Sequence, residues 1–184
     1  MHIDEQMLVE RAKNDPAEFI HLYNRYVDVI FAYAQREIHD TQTAQDIVSI
    51  TFTIALRKIS TFRWRGTSFG AWLYKIARNE IRKQYNRNKR LKPFTDLPAE
   101  PKLDTQLNQH QLVAQIRQIM VTLSERDQEI LRLCYDEALS HEEIAVILSC
   151  STRNVAVRLH RALTRLRAKV SHLQEEDLPY ATSK

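Results

Sequence analysis

The chain has 184 residues, a formal net charge of +4, 43% hydrophobic residues and only 2 glycines, and this length allows one mid-sized domain or two small ones. No apolar run approaches the roughly 20 residues that span a bilayer, and the acidic N-terminus lacks the apolar segment of a signal peptide, so we expect a cytoplasmic protein without membrane insertion. The two cysteines, Cys134 and Cys150, lack zinc-site spacing, and the apolar helix face around Cys134 predicts a buried free thiol.

Charge alternates in four blocks along the chain. Residues 1–50 carry a net charge of −5, residues 51–92 carry +11, residues 93–150 carry −6 and residues 151–184 carry +4. Two basic blocks separated by an acidic one predict two separate contacts with nucleic acid. The acidic blocks must therefore face something other than DNA.

The low glycine content and the absence of an alternating strand pattern predict an all-α fold. Residues 1–90 are predicted to form a first small helical domain, in which the loop Ser60–Thr67 follows the third helix. The apolar stripes of its helices include Tyr23, Leu56 and Trp72 among the residues expected to face inward. Its four helices are predicted at Asp4–Lys13, Ala17–His39, Thr41–Ile59 and Ser68–Arg90.

Residues 91–108 contain three prolines, which prevent a continuous helix and predict an extended linker. A second small helical domain, residues 109–171, follows this linker. Its first helix carries the apolar residues between Leu112 and Leu123, and the stretch Ser124–Asp127 has the pattern of a helix start. Residues 172–184 are polar and acidic, and we expect them to form a frayed tail.

The stretch from residue 139 to residue 170 has the pattern of two helices joined by a tight turn. Ser140 and Glu143 form a capping box, and Ser151 can cap the second helix. Opposite its apolar stripe, this second helix carries a row of polar and mostly basic residues: Arg153, Asn154, Arg158, Arg161 and Arg165. A helix-turn-helix places such a helix in the major groove, where Arg and Asn read base edges. The alternative is an amphipathic surface helix with solvated arginines.

The sequence contains no catalytic constellation. It lacks the phosphate-binding loop GxxxxGK[ST], the zinc motif HExxH, and the GxSxG and GxGxxG motifs, and its 7 histidines are scattered. We therefore expect no enzymatic activity, no cofactor and no metal.

The stretch from residue 62 to residue 90 combines basic and aromatic residues. Basic residues, with an asparagine among them, recur on the predicted outer face of the fourth helix: Lys75, Arg78, Asn79 and Arg82. Positive charge follows phosphates, and aromatic rings offer stacking surfaces for unpaired bases. Trp72 is expected in the core, whereas Trp64 is open to two interpretations, a lid on the small core or a base-contacting group.

The third helix carries a second unusual face. Its outward residues are Asp46, Ser49, Ile50, Ile54 and Arg57. A pair of exposed isoleucines one turn apart beside an acid favours a protein interface. The alternative is that Asp46 is a plain surface charge and that the isoleucines pack on the short N-terminal helix.

Together these segments resemble the bacterial sigma factors, specifically the compact extracytoplasmic-function (ECF) group. The resemblance is carried by TAQDIVSITFTIALRKISTF and SFGAWLYKIARNEIRKQYNRNKR in the first domain, and by LSERDQEILRL and SHEEIAVILSCSTRNVAVRLHRALTRLR in the second. The matching stretches run from about Ala17 to Ala168 in the expected order. This resemblance implies a specificity subunit that binds core RNA polymerase and directs promoter-specific transcription initiation.

The resemblance also implies a role for each candidate residue. The residues that would contact the clamp coiled coil of the largest polymerase subunit are Asp46, Ser49, Ile50, Ile54 and Arg57. The loop residues Arg63, Trp64 and Arg65 would capture a flipped minus-10 base. The residues that would hold the strand phosphates are Lys75, Arg78, Asn79 and Arg82. Contact with the minus-35 duplex falls to Arg153, Asn154, Arg158 and Arg161. The linker would thread into the polymerase cleft, the second domain would meet the flap, and an anti-sigma factor would compete for the clamp-docking face.

Two positions depart from the family pattern. Ser49 and Ile50 stand where an acid or amide is common, and Val157 stands where a small polar residue is common, which leaves the promoter sequence open. Two alternatives to the sigma factor remain at this point. A stand-alone helix-turn-helix regulator explains the last third of the chain but not the basic-aromatic stretch or the linker. An RNA-binding or adaptor protein would use residues 62–90.

Overall fold

A computed structural model describes residues 4–64, 68–91, 116 and 118–176. Within these ranges the regular elements are α-helices and short 3-10 turns without any strand, which confirms the all-α prediction. The chain forms two compact units. The predicted linker lies outside the described residues except for Leu91, which is the last residue of a helix instead.

The N-terminal unit is built from four helices. These are α1 (Glu5–Asn14), α2 (Phe19–Ile38), α3 (Thr41–Lys58) and α4 (Phe69–Leu91), with 3-10 turns at Pro16–Glu18 and Ile59–Thr61. Helices α2, α3 and α4 pack against one another, and α1 packs on α2. Asp4 caps α1, and Asp40 caps α3 by accepting the Thr43 backbone N–H at 2.8 Å. Hydrogen bonds from the Thr43 side chain and then from the Thr43 backbone lower the pKa of the Asp40 carboxyl, since bonds to the charged form favour it.

The core of the N-terminal unit mixes aliphatic and aromatic side chains. Leu22, Ile30, Phe69 and Leu73 are among its fully buried members, and burying one such side chain stabilises a fold by about 1.5–3 kcal/mol. The prediction that Tyr23 and Leu56 face inward is wrong, because both side chains are exposed. They lie at the edges of the stripes of α2 and α3 and line a surface groove there.

The second half of the described chain contains three helices that begin at predicted serine caps. These are α5 (Glu125–Tyr135), α6 (His141–Leu148) and α7 (Thr152–Glu176). Ser124 Oγ accepts the Asp127 N–H at 3.2 Å, Ser151 Oγ accepts the Asn154 N–H at 3.2 Å, and Ser140 exchanges bonds with Glu143 at 3.0 and 3.2 Å. All three predicted caps are therefore confirmed.

Helices α5 and α7 pack against each other as the C-terminal unit. Ile130, Leu133, Val155 and Ala162 are fully buried there. The prediction of a frayed tail from residue 172 is wrong for its first part, because α7 continues to Glu176; residues 177–184 lie outside the described part. No described helix is long and apolar enough to cross a membrane.

The predicted burial of the Cys134 thiol is also only partly correct. Cys134 is half-buried, and it is a free cysteine like Cys150. Even this partial burial raises the pKa of the Cys134 thiol, because desolvation disfavours the thiolate.

Candidate DNA and protein interfaces

Helix α3 presents an exposed ridge between two surface grooves. Asp46, Ile50 and Arg57 are exposed along the ridge, and Ile50 keeps 45% of its surface. The groove on the α2 side, which we call the apolar groove, has a volume of about 500 Å³. It is lined by Pro16, Ala17, Phe19, Ile20, Tyr23, Ser49, Phe52, Thr53 and Leu56. This lining contains no charged side chain, so the groove suits an apolar partner.

The groove on the α4 side, which we call the basic groove, has a volume of about 620 Å³. It is lined by Ile54, Lys58, Trp72, Lys75, Ile76, Asn79, Glu80, Arg82, Lys83 and Asn86. Four of these side chains are cationic, and the one acid, Glu80, is paired with Lys83 at 2.6 Å. An elongated groove of this charge is suited to a nucleic-acid strand.

The predicted positions of Ile54 and Trp72 are wrong, because both side chains line the basic groove. Ile54 was expected to continue the ridge with Asp46 and Ile50, but it is half-buried and lines the basic groove. Residues i, i+4 and i+8 drift around a straight helix because 3.6 residues make a turn. Trp72 was expected in the core, but it is only half-buried and lines the same groove.

The prediction that Arg78 lies on the outer face of α4 is wrong. Arg78 keeps only 9% of its surface exposed, whereas Asn79 and Arg82 are exposed and Lys75 is half-buried. Arg78 lies four residues after Tyr74 and three before Ile81, both of which are buried. Residues at these spacings share a helix face, so Arg78 faces the protein rather than solvent.

Phe62 is the centre of a cluster of rings that we call the aromatic cluster. Its ring centroid lies 5.3 Å from Trp64, 5.4 Å from Phe69 and 5.3 Å from Trp72. Trp64 is half-buried and meets Phe62 edge-on, which agrees with a lid on the core. The Trp64 indole N–H is buried without a hydrogen-bond partner in the described chain.

The loop after Phe62 is described only at its ends. Arg63 is exposed, and its guanidinium donates hydrogen bonds to the carbonyls of Ser60 and Phe62 at 2.7 and 3.0 Å. Arg65, with the rest of residues 65–67, lies outside the described residues. The loop candidates that can be placed are therefore Arg63 and Trp64.

The predicted outward face of α7 is exposed at four candidate residues. Arg153, Asn154, Arg158 and Arg161 are all exposed. They lie opposite the buried stripe of Val155, Leu159 and Ala162. A helix face of this kind can reach the edges of base pairs.

Arg165 differs from the other arginines of α7. Its guanidinium donates to both carboxylate oxygens of Asp127 at 2.8 and 2.9 Å. Asp127 is buried and also accepts the Ser124 hydroxyl at 2.8 Å. This pair attaches α7 to the start of α5 across 38 positions of sequence, a distance over which the helical pattern gives no signal.

Family comparisons match both halves of the chain. The sigma-70 region 2 family matches residues 22–91, and a sigma-70 region 4 family matches residues 114–166. RNA polymerase sigma factor YlaC of Bacillus subtilis is 31% identical over 164 residues, which cover 85% of this chain and 94% of YlaC. The ECF RNA polymerase sigma factor BldN of Streptomyces coelicolor is 31% identical over 170 residues, which cover 86% of this chain and 63% of BldN. The chain belongs to the ECF group of bacterial sigma factors. The RNA polymerase sigma-H factor of Pseudomonas aeruginosa is 30% identical, with 86% of this chain and 89% of that protein covered.

Solved structures of other proteins share the fold of this sigma factor. CnrH, solved with the cytosolic domain of CnrY, has a TM-score of 0.64 at 23% identity, covering 91% of this chain and 97% of CnrH. The sigma factor RpoE of Bartonella quintana, solved with the anti-sigma factor NepR, has a TM-score of 0.63 at 22% identity, covering 84% of this chain and 97% of RpoE. As an ECF sigma factor, the protein binds core RNA polymerase and directs promoter-specific transcription initiation. Matches over both sigma regions do not favour the stand-alone regulator.

No group of three or more His, Cys, Asp and Glu side chains in the described ranges could hold a metal ion. The candidate interfaces consist instead of exposed charges, aromatic rings and two grooves.

Proposed function

We propose that the ridge of α3 and the apolar groove bind the polymerase, whereas the basic groove on the other side of α3 binds DNA. The observation that carries this proposal is the ridge, which separates an apolar groove from a basic one. Asp46, Ile50 and Arg57 on the ridge, with Ser49 in the apolar groove, dock on the clamp coiled coil of the polymerase. Leu56 joins this surface because its side chain is exposed in the same groove. Apolar anchors beside a charge form the small clusters that dominate binding energy.

The basic groove and the aromatic cluster hold the unpaired minus-10 strand. Lys75 and Arg82 bind its phosphates beside Asn79, and Trp64 with Arg63 and Arg65 captures a flipped base. Flipping a base costs a few kcal/mol, and stacking on an aromatic ring returns about 1–3 kcal/mol per base. Strand opening is thus driven by binding, without ATP. Ile54 belongs with this groove rather than with the clamp surface, and the burial of Arg78 leaves it out of the phosphate contacts.

The C-terminal unit reads the minus-35 duplex with the exposed face of α7. Arg153, Asn154, Arg158 and Arg161 supply the contacts, and this unit also meets the polymerase flap. The linker, residues 91–108, threads into the polymerase cleft, where its acids mimic nucleic-acid charge. The proposed boundaries are residues 1–90 for the first domain, 109–171 for the second and 172–184 for the tail, with α4 reaching Leu91 and the end of α7 lying within the tail.

The protein acts as a specificity subunit without enzymatic activity of its own, in the cytoplasm, where core polymerase and the chromosome are found. An anti-sigma factor holds it inactive by covering the apolar groove. Support for such a partner comes from the Bartonella quintana protein of the same fold, which was solved with its anti-sigma factor.

Run-off transcription with purified core polymerase tests this proposal. We expect the protein to restore promoter-specific starts and Ile50→Lys to weaken core polymerase binding at least about thirtyfold, the loss of a 2 kcal/mol anchor. Val29→Lys is the matched control, since Val29 on α2 keeps 43% of its surface exposed against 45% for Ile50.

Three outcomes contradict the proposal. Tight, sequence-specific binding of a promoter duplex by the isolated protein would favour the stand-alone regulator. Equal losses for Ile50→Lys and Val29→Lys would show a general charge effect rather than a docking face. Full polymerase affinity of a folded Ile50→Lys variant would show that the clamp surface lies elsewhere.

A further inference from the structure

Tyr26 in α2 contacts two other helices of the N-terminal unit. Its hydroxyl donates a hydrogen bond to Glu5 Oε1 in α1. Its ring and hydroxyl lie beside Gly70 in the first turn of α4. One phenol group therefore links α1, α2 and α4.

The contact with Gly70 lies at the start of α4. The first N–H groups of a helix have no acceptor within that helix, and Ser68 Oγ accepts the Ala71 N–H at 3.1 Å. The first turn of α4 is therefore capped by Ser68 and packed against Tyr26 of α2.

Glycine at position 70 allows the tyrosine ring to come this close. A Cβ atom at Gly70 would lie 2.8 Å from Tyr26 Cε1, inside the normal contact distance. Burial, followed by the bond to Glu5, raises the pKa of the Tyr26 hydroxyl far above its usual range. Tyr26 therefore keeps its proton and stays a donor at any physiological pH.

Helix α1 also reaches the aromatic cluster directly. Lys13 Nζ lies 6.0 Å from the centroid of the Phe62 ring, a distance at which a cation is attracted to a ring face. The Tyr26 ring centroid lies 6.0 Å from that of Phe69. Phe62 and Phe69 flank the loop that carries Trp64, so α1 and Tyr26 support both ends of the loop.

We propose that Tyr26 is a positioning residue for promoter opening. By linking Glu5 of α1 to the first turn of α4, it fixes the aromatic cluster in the geometry that receives an unpaired base. A site binds well only when its residues are held in place by their neighbours. This inference rests on the proposed role of Trp64 and the basic groove. It assigns α1 a part in strand opening although α1 itself makes no proposed contact with DNA.

The experiment compares Tyr26→Phe with the unaltered protein in holoenzyme on one promoter. The rate of open-complex formation on duplex DNA should fall about tenfold, as expected for the loss of the half-buried hydrogen bond between Tyr26 and Glu5. The affinity for core polymerase should stay within about twofold, because the ridge of α3 is untouched. A template already unpaired over the minus-10 element should restore most of the rate, since the cluster then no longer has to drive the opening.

Substitutions at Glu5 separate positioning from general stability. Glu5→Gln keeps an oxygen acceptor for the Tyr26 hydroxyl and should open the promoter at nearly the unaltered rate. Glu5→Ala removes the acceptor and should slow opening, with no further loss when combined with Tyr26→Phe. Gln6→Ala, on an exposed position of the same helix, is the matched control and should have no effect.

The inference is overturned if Tyr26→Phe opens the duplex at the unaltered rate, or if its loss is equal on duplex and pre-melted templates. Equal rates for Glu5→Gln and Glu5→Ala would also overturn it. These results are distinguishable from failure of the proposed function, in which the unaltered protein itself would not restore promoter-specific starts.

Discussion

The two units place their candidate DNA-binding residues in different relations to the core. In the N-terminal unit, Trp72 lines the basic groove while packing on Phe62, and Trp64, the candidate for base capture, packs on the same ring. In the C-terminal unit, the residues proposed for recognition are exposed, and a separate stripe on the opposite face of α7 contributes to the core. Function and stability are therefore coupled in the first unit and separable in the second.

The chemistry of the two tasks accounts for this difference. Reading an intact duplex requires side chains that project from a helix into a groove, and such side chains need no burial. Holding an unpaired base requires flat apolar surfaces kept in place, and aromatic rings meet this need only when neighbouring rings support them. Every ring pair in the described chain accordingly lies in the N-terminal unit.

The largest effect is expected for Phe62→Ala. Removing the central ring should lower the free energy of unfolding by about 3–5 kcal/mol and reduce promoter opening in the same variant. Thermal or urea unfolding measures the first effect, and open-complex assays measure the second. Tyr135→Ala is the control in the other unit, because Tyr135 is 60% exposed and its loss should change stability by no more than about 0.5 kcal/mol. A stable Phe62→Ala variant that lost only promoter opening would break the coupling.

An intermediate effect, on DNA recognition rather than on stability, is expected for Arg158→Ala and Arg161→Ala. Each should cost about 1–3 kcal/mol of discrimination between cognate and altered minus-35 sequences if it reads a base edge, with unfolding nearly unchanged. Competition binding of holoenzyme at several salt concentrations measures this. Arg165→Ala should instead lower stability and leave the salt dependence unchanged, because Arg165 is bonded to Asp127. A lower salt slope for Arg165→Ala would make it a phosphate contact.

The smallest effect concerns the helix caps, because the N-terminal unit uses carboxylates at α1 and α3 whereas the three caps described in the C-terminal unit are serine hydroxyls. Asp40 caps α3 with a carboxylate of lowered pKa, whereas Ser124, Ser140 and Ser151 cap α5, α6 and α7. The folded state binds the Asp40 proton less tightly than the unfolded state does. The contribution of Asp40 to folding stability is therefore fully present above the unfolded-state pKa, and it is lost as the pH falls through the folded-state pKa. Asp40→Asn should therefore be less stable than the unaltered protein near neutral pH and lose that deficit in acid. A stability difference that does not change with pH would exclude this role.

The sequence alone predicted the features that depend on local chemistry. The three serine caps were correct because a cap bonds to a backbone group only three residues away. The helices α2, α3 and α4 were correct to within a few residues, since their apolar stripes repeat over many turns. The exposed face at the start of α7 follows from the same repeat.

The errors concern residues at the margin between two faces of a helix. Arg78, Leu56, Ile54 and Trp72 all lie where a buried stripe ends, and which of them is covered depends on how neighbouring helices pack. A positive charge predicts an exposed side chain, and the sequence around Arg78 contains no signal that this side chain is buried. The Arg165–Asp127 pair and the Tyr26 links join segments distant in sequence, and no periodic pattern reports such contacts.

The close approach of Gly70 to Tyr26 also constrains how this sequence can diverge. A methyl group at position 70 would overlap the tyrosine ring, and a ring at position 26 has no room beside any larger residue. Position 70 can therefore gain a side chain only if position 26 changes with it, whereas position 26 can become smaller alone: a relative with alanine at 70 is expected to carry a smaller side chain at 26.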